Sequence, residues 1–326
     1  MKLLLLVNSS ASAVTPRSRV VIGKALSADH DVTTVETSRR GHATRLAQGA
    51  AASGLDAVVV FGGDGTLNEA ANGLARSSCA LAALPGGSTN VFARTIGLPN
   101  DPIEATGDLL DALRRSSIHR VGLGSVNGRY FLFHTGVGFD AAVIAQVERR
   151  AGLKRYASHP LFVYAAFDTW LRHYDRSRPR FALEHVATPG DRAAPEQAGD
   201  VPVTGGSVID DCYLTIVLNT SPYTYLGNRP LDLDPKASFV RGLTSVTLRT
   251  LGLVRTLHLI GSALGRGRAL RRSRWVDYRT DLPGLSIRAH PPTYGPVPYQ
   301  VDGDYLGDTR ELSFRHEPGV LDLVLP

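Results

Sequence analysis

Cysteine is almost missing from the 326 residues: only Cys79 and Cys212 occur, far apart in the chain. Two such thiols form neither a disulfide framework nor a zinc pattern. Both lie in apolar or strand-like stretches and read as small buried hydrophobes, which fits a reducing cytoplasm. No apolar run approaches the ~18 residues of a membrane-spanning helix. Leu3–Val7 followed by Ala11-Ser12-Ala13 mimics a secretory signal, but the run is shorter than the roughly 7–15 apolar residues such signals need. A buried first strand explains it better. The ten histidines show no metal-ligand spacing such as H-E-x-x-H, and a Walker A loop is absent, since Gly23-Lys24 is followed by Ala25 without the upstream glycine. Acid is the scarcer charge: 36 Lys and Arg stand against 30 Asp and Glu, giving +6 and a pI of about 9.5. That favours an anionic partner, whether nucleotide, nucleic acid or acidic membrane. No recognisable nucleic-acid module accompanies the charge, so no nucleic-acid partner is expected.

Hydrophobic residues make up 43% and charged residues 20%, enough apolar material for real cores. The length suggests two domains. In the first third, strands alternate with helices: Leu3–Val7, Asp31–Glu36, Ala57–Phe61 and Leu81–Leu84 read as strands, and Arg17–Ser27, His42–Ala52 and Leu67–Ala75 as helices. The run AVVVF at Ala57–Phe61 has the continuous apolarity of a buried parallel strand. Alternation of this kind predicts a parallel sheet with helices on its faces. From about Ile118 the texture changes. Arg129–His134, Phe181–Val186, Tyr213–Asn219, Ser245–Thr250, Leu285–Ala289, Tyr299–Val301 and Leu312–Arg315 are short strand candidates between turn residues. Helical stretches at Ala141–Arg150 and Leu161–His173 interrupt them, and Thr188–Gly206 is a polar, Pro/Gly-rich loop.

The strongest chemical signal is Gly62-Gly63-Asp64-Gly65-Thr66-Leu67-Asn68-Glu69, between a buried strand and a helix. Glycines let backbone amides approach phosphate oxygens without an intervening Cβ. The helix N-terminus adds partial positive charge, and Asp64 is placed to hold Mg²⁺ beside the phosphates. Pro85-Gly86-Gly87-Ser88-Thr89-Asn90 also follows a strand. Because neighbouring parallel strands end on one edge, it is expected to face the same ligand. Gly136-Val137-Gly138-Phe139-Asp140-Ala141 fits the dinucleotide fingerprint, but no acidic residue ends a second strand some 20 residues on. It reads better as a tight strand–helix turn lining an acceptor pocket. Asp302-Gly303 is, on its residues alone, a hairpin turn.

GGDGTLNE, PGGSTN with VFAR, GVGFDA and VDGD at Val301–Asp304, taken in this order, resemble the diacylglycerol kinase catalytic domain family, above all its bacterial lipid kinases, with sphingosine and ceramide kinases as relatives. The resemblance implies a three-layer, NAD-kinase-like α/β nucleotide domain (residues 1–117, with 306–326 returning to it) joined to a β-sandwich lipid domain (118–305). It implies ATP as co-substrate, Mg²⁺, and a lipid hydroxyl as acceptor, diacylglycerol giving phosphatidic acid in phospholipid biosynthesis, or a sphingoid base, ceramide or glycolipid. Nucleotide binding would fall to Asn8, Thr37, Gly41, Gly62, Gly63, Asp64, Gly65, Thr66, Gly87, Ser88 and Asn90. The metal would fall to Asp64 and Asp304, catalysis to Asp64 and to Asp302 as general base, and the lipid pocket to Gly136, Gly138 and Asp140. Ser9 replaces the proline that follows this asparagine in the family, Ser88 a threonine, Val91 an aspartate and Asp304 a glutamate. Arg241, in Arg241-Gly242-Leu243, replaces an aspartate, so a second, structural metal is not expected; Arg241 is expected to pair with Asp232 or Asp234 instead. NAD kinase shares the GGDG loop and the two-part plan and is the competing enzyme; a non-catalytic nucleotide- or lipid-binding protein is the competing class.

Basic residues cluster at Arg149, Arg150, Lys154 and Arg155, and again at Arg266, Arg268, Arg271, Arg272 and Arg274 with Trp275. The second cluster follows Leu253, Leu257, Ile260 and Leu264, which share one helical face. That face either packs on a core or, with the arginines, meets an anionic membrane surface. A cytoplasmic, peripherally membrane-associated protein is expected, and a homodimer is compatible with the β-rich second part.

Overall fold

The computed structural model describes residues 1–149, 159–186, 207–265, 267–290 and 295–326. Four parallel strands, β1 (Lys2–Val7), β2 (Asp31–Glu36), β3 (Ala57–Gly62) and β4 (Ala80–Pro85), run in the order β2-β1-β3-β4. β3 and β4 are buried at every position, as expected for continuous apolar strands covered on both faces. β2 lies at the edge and is exposed except at Val32 and Val35, which are half-buried. Helices α1 (Pro16–Ser27), α2 (His42–Ala52), α3 (Asp64–Leu74), α4 (Val91–Thr95) and α5 (Pro102–Arg114) cover the sheet, with α1 packed on α5 and α2 on α3. Right-handed crossovers running outward to β2 and then back to β3 put these pairs on opposite faces, which makes three layers.

The first helix starts at a capping box between Thr15 and Ser18, with Pro16 in the first turn. α3 starts at Asp64 instead of at Leu67, as the pattern suggested. Gly63 is extended and ends the strand, and a carboxylate in the first turn complements the helix N-terminus. Half of the glycine loop is therefore helix.

Beyond α5 come β5 (Ile118–Val126), β6 (Arg129–Phe131), β7 (His134–Gly138), helix α6 (Phe139–Arg149), helix α7 (His159–Asp168) and a π-helical turn, Thr169–His173. Then follow β8 (Phe181–His185), β9 (Val208–Cys212), β10 (Leu214–Leu218), β11 (Thr224–Leu226), β12 (Arg229–Leu231), β13 (Leu243–Leu248), α8 (Leu253–Leu264) and α9 (Arg268–Arg271). The chain ends with β14 (Val276–Leu282), β15 (Gly284–Ala289), β16 (Val297–Val301), β17 (Asp304–Thr309) and β18 (Glu311–Val324). Among the described residues, β18 continues the first sheet beside β4 and carries β5, β6, β15, β8 and β9 with it, giving ten strands. A separate antiparallel sheet has the order β14-β13-β10-β7-β16-β17.

The two sheets share a core. Phe131, Phe181, Leu285 and Phe314 come from the larger sheet, and Val137, Val217, Leu243 and Val301 from the smaller. The second part is thus a β-sandwich joined to a mixed α/β sheet. The outer face of the smaller sheet packs through Leu214, Ile216 and Val246 against Phe139 of α6, Leu259 of α8 and Leu270 of α9.

Several sequence readings change here. The expected strand Arg129–His134 splits into β6 and β7, which belong to different sheets. The break falls where Leu132, Phe133 and His134 turn their backbone N–H groups onto one carboxylate, that of Asp302. β5 left little trace in the sequence because Gly122 and Gly124 interrupt its apolar run, yet Gly124 is required there: a Cβ would lie 2.1 Å from the Phe131 ring. Arg241 pairs with Asp281, its Nε donating at 2.8 Å, and not with Asp232 or Asp234. β13 and β14 are adjacent antiparallel strands, so residues distant in sequence meet beside that turn. Both cysteines are buried and free. Thr188–Gly206, Arg150, Lys154, Arg155 and Arg266 lie outside the described residues. Among the described residues no helix is long and apolar enough to cross a membrane.

Candidate active site

The order β2-β1-β3-β4 reverses direction between β1 and β3, so the loops leaving the C-terminal strand ends diverge and leave a crevice. That crevice is a cleft of about 730 Å³. It is lined by residues 8–12 after β1, 37–40 after β2, the start of α3, Gly87-Ser88 after β4, and Asp304. Of the residues expected to bind nucleotide, Asn8, Thr37, Gly63, Gly65, Thr66, Gly87 and Ser88 line it.

The remaining ones shape the cleft from behind. Gly62 and Gly86 are in backbone contact: a Cβ on Gly86 would lie 2.8 Å from the Cα of Gly62, and one on Gly87 would lie 3.0 Å from the Cα of Gly63. The two glycine pairs therefore allow two loops to touch, besides exposing amides to a ligand. Asn90 is buried and left-handed; its Oδ1 accepts from Gly87 N–H at 2.7 Å and its Nδ2 donates to the Gly87 carbonyl at 2.9 Å, fixing the PGGS turn. Gly41, left-handed at φ 77°, donates its N–H to Glu69 at 2.7 Å. Asn8 Nδ2 donates to Thr66 Oγ1 at 2.9 Å, tying the end of β1 to α3.

Asp64 does not point its carboxylate freely at the cleft. Its two oxygens accept the N–H groups of Val91 and Phe92, each at 3.0 Å, and so cap α4. Burial pushes its pKa up to about 6, against these two hydrogen bonds, with the nearby Asp304 charge adding to the rise. Asp304 lies in the cleft over the N-terminus of α3. A Cβ on Gly65 would meet its Oδ2 at 2.6 Å, and Arg40 stands 3.6 Å from that oxygen. Asp304 faces the cleft at this helix N-terminus, and Asp64 stands behind it with its oxygens on α4; one carboxylate facing the cleft and a second close by fit Mg²⁺, which takes one or two carboxylates together with phosphates and water. Among the described residues no cluster of three or more ligating side chains exists that would hold a metal without the nucleotide.

Asp302 is 3% exposed. Its Oδ2 accepts from Asn68 Nδ2 at 2.7 Å and Leu132 N–H at 2.8 Å; its Oδ1 accepts from Phe133 and His134 N–H at 3.0 and 3.1 Å. Burial pushes its pKa up to about 6 while these donors pull it down. Asp302 and Gly303 are both left-handed and join β16 to β17, so the hairpin reading holds as well. Gly136, Gly138 and Asp140 come together as a buried cluster where β7 passes into α6, away from this cleft. Asp140 accepts from the Tyr223 hydroxyl and from Gln300 Nε2 at 2.9 Å, and burial raises its pKa. A Cβ on Gly136 would overlap the Asp140 carboxylate, so the glycine makes room for it.

Sequence reasoning missed Ser9, Ser10, Ser12, Arg39, Arg40 and Glu69 as cleft residues. The Arg39-Arg40 pair directly after the second strand was the available signal: two cations at a strand end beside a glycine loop. Glu69 lies within the GGDGTLNE motif and caps α2 through the N–H groups of Gly41 and Ala43.

Residues 2–126 match the family model of the diacylglycerol kinase catalytic domain. Over 332 aligned residues, 99% of this chain and 95% of the relative, the chain is 36% identical to the Pseudomonas fluorescens protein named "Probable lipid kinase YegS-like". A Chromohalobacter salexigens protein of the same name is 35% identical over 142 residues, which span 42% of this chain and 44% of that protein. In structure, the chain superimposes on a diacylglycerol kinase from Bacillus anthracis str. Sterne with a TM-score of 0.67 and 20% identity, covering 100% of this chain and 97% of that one. The two-part fold, the glycine cleft and the full-length similarity converge: the chain belongs to the diacylglycerol kinase catalytic domain family.

Proposed function

We propose that this protein transfers the γ-phosphoryl group of ATP to the hydroxyl of a membrane lipid, most directly diacylglycerol, to give a phosphomonoester such as phosphatidic acid. The observation that carries this reading is the cleft at the C-terminal edge of β1–β4, with two glycine turns, a helix N-terminus, several hydroxyls and Arg39-Arg40 around it. The amides at the start of α3 favour phosphate oxygens, and the arginines add fixed positive charge that phosphoryl transfer needs. Asp64 and Asp304 would hold Mg²⁺, which when bound with the nucleotide neutralises phosphate charge. Asn8, Asn90 and Glu69 hold the loops that shape the cleft.

In the transfer, the acceptor oxygen forms a bond to the γ-phosphorus while the bridging bond to the β-phosphate breaks and ADP leaves. The hydroxyl proton goes to a carboxylate, for which Asp302 is the candidate. To take it, Asp302 must exchange one of its present N–H donors for the acceptor hydroxyl. The test is labelled ATP with Mg²⁺ and a panel of diacylglycerol, sphingosine, ceramide, a glycolipid and NAD. Label transfer to a lipid supports the reading and names the acceptor. Transfer to NAD alone, or nucleotide binding without transfer to any acceptor, overturns it.

A further inference from the structure

Helix α8 buries only part of its apolar surface. Leu259 and Ala263 face inward and are buried, 3% and 2% exposed. Val254 is 80% exposed and Leu257 58% exposed, with Leu253 and Leu264 beside them on the outer side. The apolar stripe legible in the sequence therefore lies largely in water. α7 and its π-helical turn do the same, with Tyr164 and Phe167 more than half exposed and Leu171 close to it. The two segments meet where Trp170 Nε1 donates to the Leu251 carbonyl at 2.9 Å, two residues before α8 begins. An exposed apolar surface of this extent on a folded chain marks a binding face.

Charge selects the occupant. Residues 250–276 contain six arginines and neither aspartate nor glutamate. Arg255, Arg268, Arg272 and Arg274 are exposed around the apolar stripe. Arg255 and Arg274 both stand over the Trp275 ring, at 4.0 and 4.8 Å from its centroid. An indole in contact with two guanidinium groups at the rim of an apolar stripe is the chemistry of a membrane interface, where the ring sits at headgroup level and the cations meet phosphates.

We propose that the outer face built by α8, the π-helical turn and the Arg268–Trp275 segment is a docking surface for an anionic lipid bilayer. Val254 and Leu257 enter the acyl boundary, and the arginines lie against acidic headgroups. This rests on the lipid-kinase reading and adds to it the surface that would bring the cleft to its substrate.

The test is co-sedimentation of the full chain with vesicles of phosphatidylcholine alone and of phosphatidylcholine mixed with phosphatidylglycerol. The wild type, Val254→Asp/Leu257→Asp and Arg255→Gln/Arg272→Gln/Arg274→Gln are compared. Kinase activity on a short-chain, detergent-dispersed acceptor is measured beside it. The wild type should pellet with the mixed vesicles and stay in solution with phosphatidylcholine alone. Each variant should lose binding about tenfold or more while keeping its thermal melt and its activity on the dispersed acceptor. Vesicle binding unchanged in both variants overturns the proposal. So does a wild type that ignores mixed vesicles. A loss of dimer in sedimentation velocity, with vesicle binding intact, overturns it in favour of contact between two copies. If the wild type is inactive on every acceptor, the functional reading fails while the vesicle result still decides the docking surface.

Discussion

Asp302 lends both oxygens to four N–H donors, and Asp64 lends its oxygens to two. Each carboxylate is therefore structural before it is chemical, and substitutions should reveal both parts. Asp302→Asn turns an acceptor into a donor facing backbone N–H groups. It is expected to cost ~2–4 kcal/mol of stability, since hydrogen bonds to charged groups are each worth ~1.5–3 kcal/mol. If Asp302 also takes the acceptor proton, kcat falls by roughly 10²–10⁴ with ATP affinity unchanged. In that case the wild-type kcat rises with pH through about 6, the value to which burial pushes this carboxyl. A flat profile in that range would assign the whole loss to positioning. Asp64 offers the linkage test. Burial raises its folded pKa to about 6, above the ordinary aspartate value of 3.8. Its contribution is therefore fully present below the lower value and is lost as pH rises through the upper one. The stability gap between wild type and Asp64→Asn should be largest below about pH 4, shrink between about pH 4 and 6 by up to ~3 kcal/mol, and level off above. Denaturant midpoints measured across that range, without nucleotide, read this directly.

Helices α2 and α3 touch because Gly73 has no side chain. A Cβ there would lie 2.4 Å from the Thr44 carbonyl and 2.8 Å from Ala47 Cβ. Gly49, also in α2, has nothing within 4 Å of an added Cβ. The two glycines should respond in opposite directions. Gly73→Ala forces the helices apart and should destabilise by ~1–3 kcal/mol, as overpacking does. Gly49→Ala adds helix propensity at an exposed interior position and should stabilise by ~0.5–1 kcal/mol. Thermal melts of the pair check both signs. Gly73→Ala should also weaken nucleotide binding, because the starts of α2 and α3 carry Gly41, Glu69 and the GGDG turn.

At the scale of the molecule, the hairpin β16–β17 brings the smaller sheet to the cleft. Its Asp302 reaches Asn68 of α3, and its Asp304 reaches the space over Gly65. Nucleotide bound at α3 would touch an element of the β-sandwich, and its binding should stabilise both parts together. At 100 times Kd, Mg–ATP should raise stability by ~2.7 kcal/mol, seen as one cooperative shift of the melting transition. Gly87→Val places a side chain against Gly63 and should abolish that shift. Two separate transitions, with only one moving, would show that the hairpin does not couple the parts.

The sequence by itself determined the parallel half of the sheet, because β1, β3 and β4 are uniform apolar runs that only burial on both faces explains. It also marked both glycine turns, Asp64 and the Asp302-Gly303 turn, since those residue types at strand ends have few other uses. What it could not determine was direction and partnership. Period and spacing place Leu253, Leu257 and Leu264 on one face of α8 but do not say whether that face meets the core or water. They give Arg241 a charge but not Asp281, which arrives from the neighbouring strand. They place Asp302 in a turn but not against three N–H groups from residues 132–134. Those facts were decided by the tertiary structure, because a partner some 40 to 170 residues away in the chain leaves no trace in the local pattern.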